Sequence, residues 1–187
     1  MNGNRGLHSF GIAVVLVMLA GCAGDSSGVG PVGITRLATA RINGQVERVT
    51  QQDGEDVVVV VSTSAKDLAP ARGPAVPMTD GRVTLHSPDV HLSVGDTYLL
   101  YVGWRQAGAK DPLVLFALDA DGNPLADFNG RADNGADVNG ILECVGSTAH
   151  LPTHEAVLDA LATEGPNQPD GTLSRALYAC GTQASPH

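Results

Sequence analysis

Val57-Val-Val-Val-Val61 is the stretch that decides the fold. Five β-branched side chains in a row are stiff at χ1, and five residues are too few for a helix. The run is therefore expected to be a buried central strand, almost free of solvent. Before it, Gln51-Gln-Asp-Gly54 reads as a turn, and Ala38-Thr-Ala-Arg-Ile42 alternates as a strand that bends at Gly44 and continues through Val46 to Val49. After it, Ala65 to Pro77 contains Pro70, Pro74 and Pro77 and reads as a long loop. Short strands are expected at Val83–Leu85 and Val90–Leu92, either side of Ser87-Pro-Asp89. A Val94-Gly-Asp96 turn leads into Thr97-Tyr-Leu-Leu-Tyr-Val-Gly-Trp104, the strongest strand pattern in the chain. Pro112 to Leu118 forms another strand, Asp119-Ala-Asp-Gly-Asn123 a hairpin turn, and Leu125 to Phe128 the returning strand.

Six or seven short strands with frequent turns predict a mainly β domain over residues 36–128, a small antiparallel barrel or sandwich. The Leu92-Ser-Val-Gly-Asp96 turn ahead of a long strand resembles small OB-like barrels, including netrin-like domains. That resemblance implies a protein-interaction or inhibitor module and transfers no site residue. Residues 129–187 read differently, as a loop followed by a short C-terminal helical extension. Thr153 caps a helix that places Val157, Leu158 and Leu161 on one face. Gly165-Pro-Asn-Gln-Pro-Asp-Gly171 breaks it, and Thr172 to Cys180 can form a second helix.

The N-terminus carries an address. Met1 to Ser9 holds basic Arg5 and no acidic residue, and Phe10 to Ala20 is an uncharged apolar run. The run is short for a spanning helix, which needs about 20 apolar residues, and fits the core of an export signal. Leu19-Ala-Gly-Cys22 follows directly. This resembles the lipobox of bacterial lipoprotein precursors, which implies cleavage after residue 21 and lipidation of Cys22. Residues 1–21 would then be the signal and 22–35 a flexible Gly/Ser-rich tether. Two or more acyl chains hold a membrane stably, at about 0.8 kcal/mol per buried methylene. The expected location is the extracytoplasmic face of the cell membrane.

Charge narrows the partners. Loss of the signal removes Arg5 alone among charged residues, leaving ten basic against twenty acidic and a net charge of −10. Such a surface repels phosphate, which argues against nucleic acid. Beyond Cys22, only Cys144 and Cys180 remain, an even pair suited to a disulfide in an oxidising compartment. The alternative is a metal site built from Cys144, His150, His154 and Cys180. It lacks a recognised zinc spacing, and Pro152 keeps the two histidines off one helical face.

Chemistry finds little footing. Gly28-Val-Gly-Pro-Val-Gly33 matches a dinucleotide fingerprint literally, but no strand precedes it and Pro31 interrupts it, so no cofactor is assigned. Asn129-Gly, Asn134-Gly and Asn139-Gly, interleaved with Asp127, Asp133 and Asp137, offer oxygen donors for calcium without an EF-hand order. Ser62, Ser64 and Lys66 provide only a Ser-x-Lys pair heading a wet loop. No serine elbow or paired metalloprotease histidines occur. Strict alternation puts Tyr98 and Trp104 on one face of their strand and Tyr101 on the other. The expectation is a lipid-anchored envelope domain that binds a small ligand or an envelope protein, or serves structurally, without catalysis. A secreted hydrolase is the third reading, and it requires a cleft with a perturbed serine or histidine.

Overall fold

The computed structural model describes residues 30–69, 73–104, 111–125, 137–168 and 170–183. Five strands close into a barrel in the order β1-β2-β3-β5-β4: β1 Ala40–Gln52, β2 Glu55–Asp67, β3 Arg82–Ser87, β4 Thr97–Gly103 and β5 Leu113–Leu118. All pairings are antiparallel except β3 with β5, which is parallel and touches only at His86↔Leu113. The barrel is therefore mixed rather than wholly antiparallel. Its five-stranded Greek-key closure is of OB type.

β1 is long enough to serve two neighbours. Its first half pairs with β4 through Ala40–Gln45, and all of it pairs with β2. The strand must coil sharply to do this, and register shifts at Asn43/Gly44 and Val46/Arg48 provide the coil. Gly44 is required there, since a Cβ would stand 2.5 Å from the Val61 carbonyl oxygen. The β1–β2 hairpin turns at Asp53-Gly54, both with positive φ, as a tight hairpin demands.

The helices cover one side of this barrel. A short helix α1 (Gly30–Ile34) and a 3-10 turn (Thr35–Leu37) precede β1, and α1 packs on β5 with Val32 fully buried. The stretch read as the end of a flexible tether is thus part of the folded domain from residue 30. After the barrel come α2 (Val138–Ala149), α3 (His154–Glu164) and α4 (Thr172–Gln183). Thr153 caps α3 by accepting from Ala156 N at 3.1 Å. Asp137 caps α2 through Gly140 N, so a helix stands where Asn139 was read as loop. Cys144 of α2 and Cys180 of α4 lie at disulfide distance, with Cα atoms 5.9 Å apart.

Two other expectations change. Residues 90–92 form no strand beyond a single bridge position at Val90. Leu118 bridges Pro124, but the returning strand expected at 125–128 falls mostly outside the described residues. No helix among the described residues is long and apolar enough to cross a membrane.

Candidate functional site

The register sorts the valine run into two faces. Val49–Val58–Leu85 and Val46–Val60–Val83 are cross-strand rows that fill the barrel. Val58 and Val60 are 0% exposed. The intervening rows, Thr50–Val57–His86, Arg48–Val59–Thr84 and Gln45–Val61–Arg82, face outward. Val59 and Val61 are only partly buried. The expectation of an almost solvent-free strand is thus corrected: Val57, Val58 and Val60 are buried but Val59 and Val61 only partly so, because an antiparallel strand at a barrel wall presents one side chain in and the next out.

A second apolar run shows what a covered face looks like. In β5, Val114 through Leu118 are all buried, because α1 and the 3-10 turn lie on its outside. Among the described residues no helix lies in this way over Val59, Val61 and Thr84 of β2 and β3. Their outer face instead carries a groove of about 420 Å³. Val59 and Thr84 form its floor, and Arg48 and Arg82 stand beside them. Pro77, Thr79 and Asp80 make one wall and Asp111 closes another. Glu47, extruded by the β1 bulge, receives Arg82 Nε at 2.7 Å and Nη2 at 3.0 Å. That bond holds the Glu47 carboxyl below its ordinary pKa and the Arg82 guanidinium above its own. At the Asp111 end, His86 lies between two carboxylates, with Nδ1 3.5 Å from Glu55 and Nε2 3.6 Å from Asp111.

The opposite side of the barrel holds the densest polar cluster, and it is a clamp. Tyr101, on the outer face of β4, is fully buried beneath α3, and its hydroxyl shares its one proton between two acceptors, Asp159 Oδ1 at 3.0 Å and the Glu155 carbonyl at 3.1 Å. Arg41 of β1 bonds Glu155 and, at 2.7 Å, Asp159; Lys66 of β2 reaches the same Asp159 oxygen at 2.9 Å. Burial, and then the negative charge of Asp159, push the Tyr101 hydroxyl well above the usual tyrosine range. Burial acts to lower the Arg41 pKa, but Asp159 and Glu155 outweigh it and hold the guanidinium above its usual value. Each charged group of the cluster has a partner within it, so the cluster fixes α3 to three strands.

A third feature is a cleft of about 460 Å³ between the Asp119–Asn123 turn and the start of α3. Asp119 caps its own turn, accepting from Asn123 N at 2.8 Å and Asp121 N at 2.9 Å. Those bonds hold its carboxyl below the ordinary value. His154 Nδ1 lies 3.1 Å from Gly122 O and ties the turn to the helix. These polar groups are spent on local structure.

The residues picked out by sequence are dispersed. Cys22 lies outside the described residues, as do Asn129, Asn134, Asp127 and Asp133 of the calcium candidate. Asp137 and Asn139 belong to the first turn of α2. Cys144 and Cys180 face each other rather than a metal, and His150 ends α2 in the left-handed region. Among the described residues no group of three or more His, Cys, Asp and Glu is placed to hold a metal. Lys66 is engaged by Asp159, and Ser62 Oγ bonds Ser64 O, so no serine–lysine pair forms. Tyr98 points inward, while Trp104 lies beyond the strand end with Nε1 on Pro74 O at 3.2 Å, so the two share no ligand face. Sequence reading missed Arg48, Arg82 and Asp111, whose only signal was charge flanking a β-branched run.

No protein-family model matches this chain, and no curated protein sequence matches it significantly.

Proposed function

We propose that this chain is an exported lipoprotein, anchored through lipid on Cys22, whose barrel is a non-catalytic binding module that uses the outer face of β1, β2 and β3. The anchor reading rests on the order of basic start, apolar run and Leu19-Ala-Gly-Cys22. The binding reading rests on one observation above all. Val59 is a partly exposed apolar floor to a groove walled by charge, on the side of the barrel that the helices leave open. About 420 Å³ falls within the range of ligand sites, and the β2–β3 face is where barrels of this type hold their ligands. The net charge of −10 opposes nucleic acid as that ligand.

The early start of the folded domain matters here. Only residues 23–29 separate Cys22 from α1, a reach of at most about 28 Å when fully extended. A partner would therefore be met close to the membrane surface, which suits another envelope protein. Two measurements test the reading in cells. Cys22→Ser is expected to move the protein from the detergent phase to the aqueous phase, or to leave it uncleaved. An equal membrane fraction for both forms would overturn the anchor. A photoreactive residue at position 59 is expected to crosslink a neighbour that the same residue at exposed Gln51 does not. Identical crosslinking patterns from the two positions would overturn the binding face.

A further inference from the structure

The seams that close the barrel are unequal. Four of them pair over five or more residues, whereas β3 and β5 meet at one position, His86↔Leu113. That bridge is backed by the His86 N–H, which donates to Pro112 O at 2.9 Å. The side chain of the same histidine spans the seam. Its Nδ1 lies 3.5 Å from Glu55 at the start of β2, and its Nε2 lies 3.6 Å from Asp111, just ahead of β5. A neutral imidazole carries one N–H, so one of the two carboxylates would face a ring lone pair; an imidazolium offers an N–H to each. After β3, His91 Nδ1 lies 3.2 Å from Asp56, the next residue to Glu55. Asp56 projects to the opposite face of β2 and also accepts from Gln51 Nε2 of β1 at 3.3 Å. Two histidines thus meet three carboxylates at one end of the barrel. Arg48 and Arg82, on the same outer face as His86, stand one and two rows further along, at about 7 Å a row, and Arg82 is taken by Glu47. The His86 side chain is 26% exposed and that of His91 56%, so protons reach both rings.

We propose that His86 and His91 form a pH-sensitive clasp, which on protonation ties the start of β2 to the seam between β3 and β5. As neutral rings they leave the charges of Glu55, Asp56 and Asp111 unopposed at that end of the cluster. As charged rings they set two positive charges among three negative ones. They then draw β2, β3 and the entry to β5 together where the ladder supplies least. Histidine as a residue type gains its charge near about pH 6.5, so the device works across ordinary external conditions. Its stabilisation is present in acid and is lost as the rising pH discharges the rings, the opposite sense to a carboxylate that caps a helix. Asp111 is also a wall of the groove, so the clasp sets that wall, but its operation does not depend on the groove holding a ligand.

Hydrogen exchange at the His86 amide of the mature protein reads the seam directly. The Thr39 amide, which donates to Val102 O of β4 at 2.9 Å, serves as the reference. Each rate is divided by its intrinsic value at the same pH. Between pH 8 and pH 5, protection at His86 relative to Thr39 is expected to rise about fivefold, the effect of an ion pair near the surface. The rise should follow the ring titrations of His86 and His91 measured by NMR. His86→Gln keeps the backbone amide and should remove most of the rise, and adding His91→Gln should remove the rest. Asp111→Asn, at a side chain 46% exposed, should remove part of it and serves where the histidine variants fail to fold. A rise of wild-type size in Asp111→Asn and in the folded histidine variants would overturn the clasp. So would a ratio in the wild type that stays level, or falls, as the rings take up their protons.

Discussion

Placing a carboxylate at position 58 or at position 59 asks the same question of two adjacent valines and should receive opposite answers. Val58 is 0% exposed, in the inward row with Val49 and Leu85. Val58→Asp forfeits about 1.5–3 kcal/mol of side-chain burial. It also buries a charge without a partner, which costs several kcal/mol more even after relaxation. The total reaches about 5 kcal/mol or above, the whole stability of many domains. Val59→Asp loses only partial burial and sets the new carboxylate across from Arg48 on the same face, a pair worth about 0–1 kcal/mol. The net change should stay within about 1 kcal/mol, or about 2–4 °C in melting temperature for a domain of this size. Circular dichroism melts and urea titrations of the two variants check this. Equal damage from both would mean that the outer face of β2 is covered, and the groove would lose its floor.

Removing the disulfide by Cys144→Ala with Cys180→Ala should cost about 3–4 kcal/mol by the chain-entropy account for a separation of 36 residues, read by urea denaturation of the oxidised and variant forms. Glu164 caps α4, accepting from Leu173 N at 3.1 Å and Ser174 N at 2.9 Å. Burial acts to raise its pKa, but the Ser174 and Leu173 donors outweigh it and hold the carboxyl below its ordinary value. A lowered folded pKa contributes stability that is present above the ordinary glutamate value and lost as the pH falls through the lowered one. Glu164→Gln should therefore flatten the acid side of the stability–pH curve and cost about 1 kcal/mol at neutral pH, as a lost helix cap does. Gly44→Ala should destabilise far more than a surface change, because the new Cβ meets backbone at 2.5 Å; a melt within 1–2 °C of wild type would contradict the coiled path of β1.

What the sequence carried, and what it did not, divides along the range of the interactions involved. Strands and turns are local, and the Val57–Val61 run, the Thr97–Trp104 alternation and the Thr153 cap all stand near where their patterns put them. α2 was hidden because Gly140 and Gly146 weaken it and the Asn-Gly pairs before it read as turns. Its formation depends on the Asp137 cap and on packing against α4, which lies more than twenty residues away. The short α1 was hidden for a similar reason. Gly30-Pro-Val-Gly-Ile34 has poor helical propensity, and its place in the core is secured by Val32 against elements far along the chain.

The groove was the least legible feature, since a run of apolar residues does not state how many of its faces are covered. Leu113–Leu118 and Val57–Val61 look alike as strings, and only the positions of distant helices make the first buried on both sides and the second on one. β-branched residues on the open face of β2 are not needed to fill the barrel, because Val58 and Val60 already do so. Polar residues of equal strand propensity, such as threonine, would serve there, as Thr84 does one strand away. Retaining valine at 59 and 61 beside Arg48 and Arg82 leaves apolar area in water with charge at its margin. The proposed binding face rests on that arrangement.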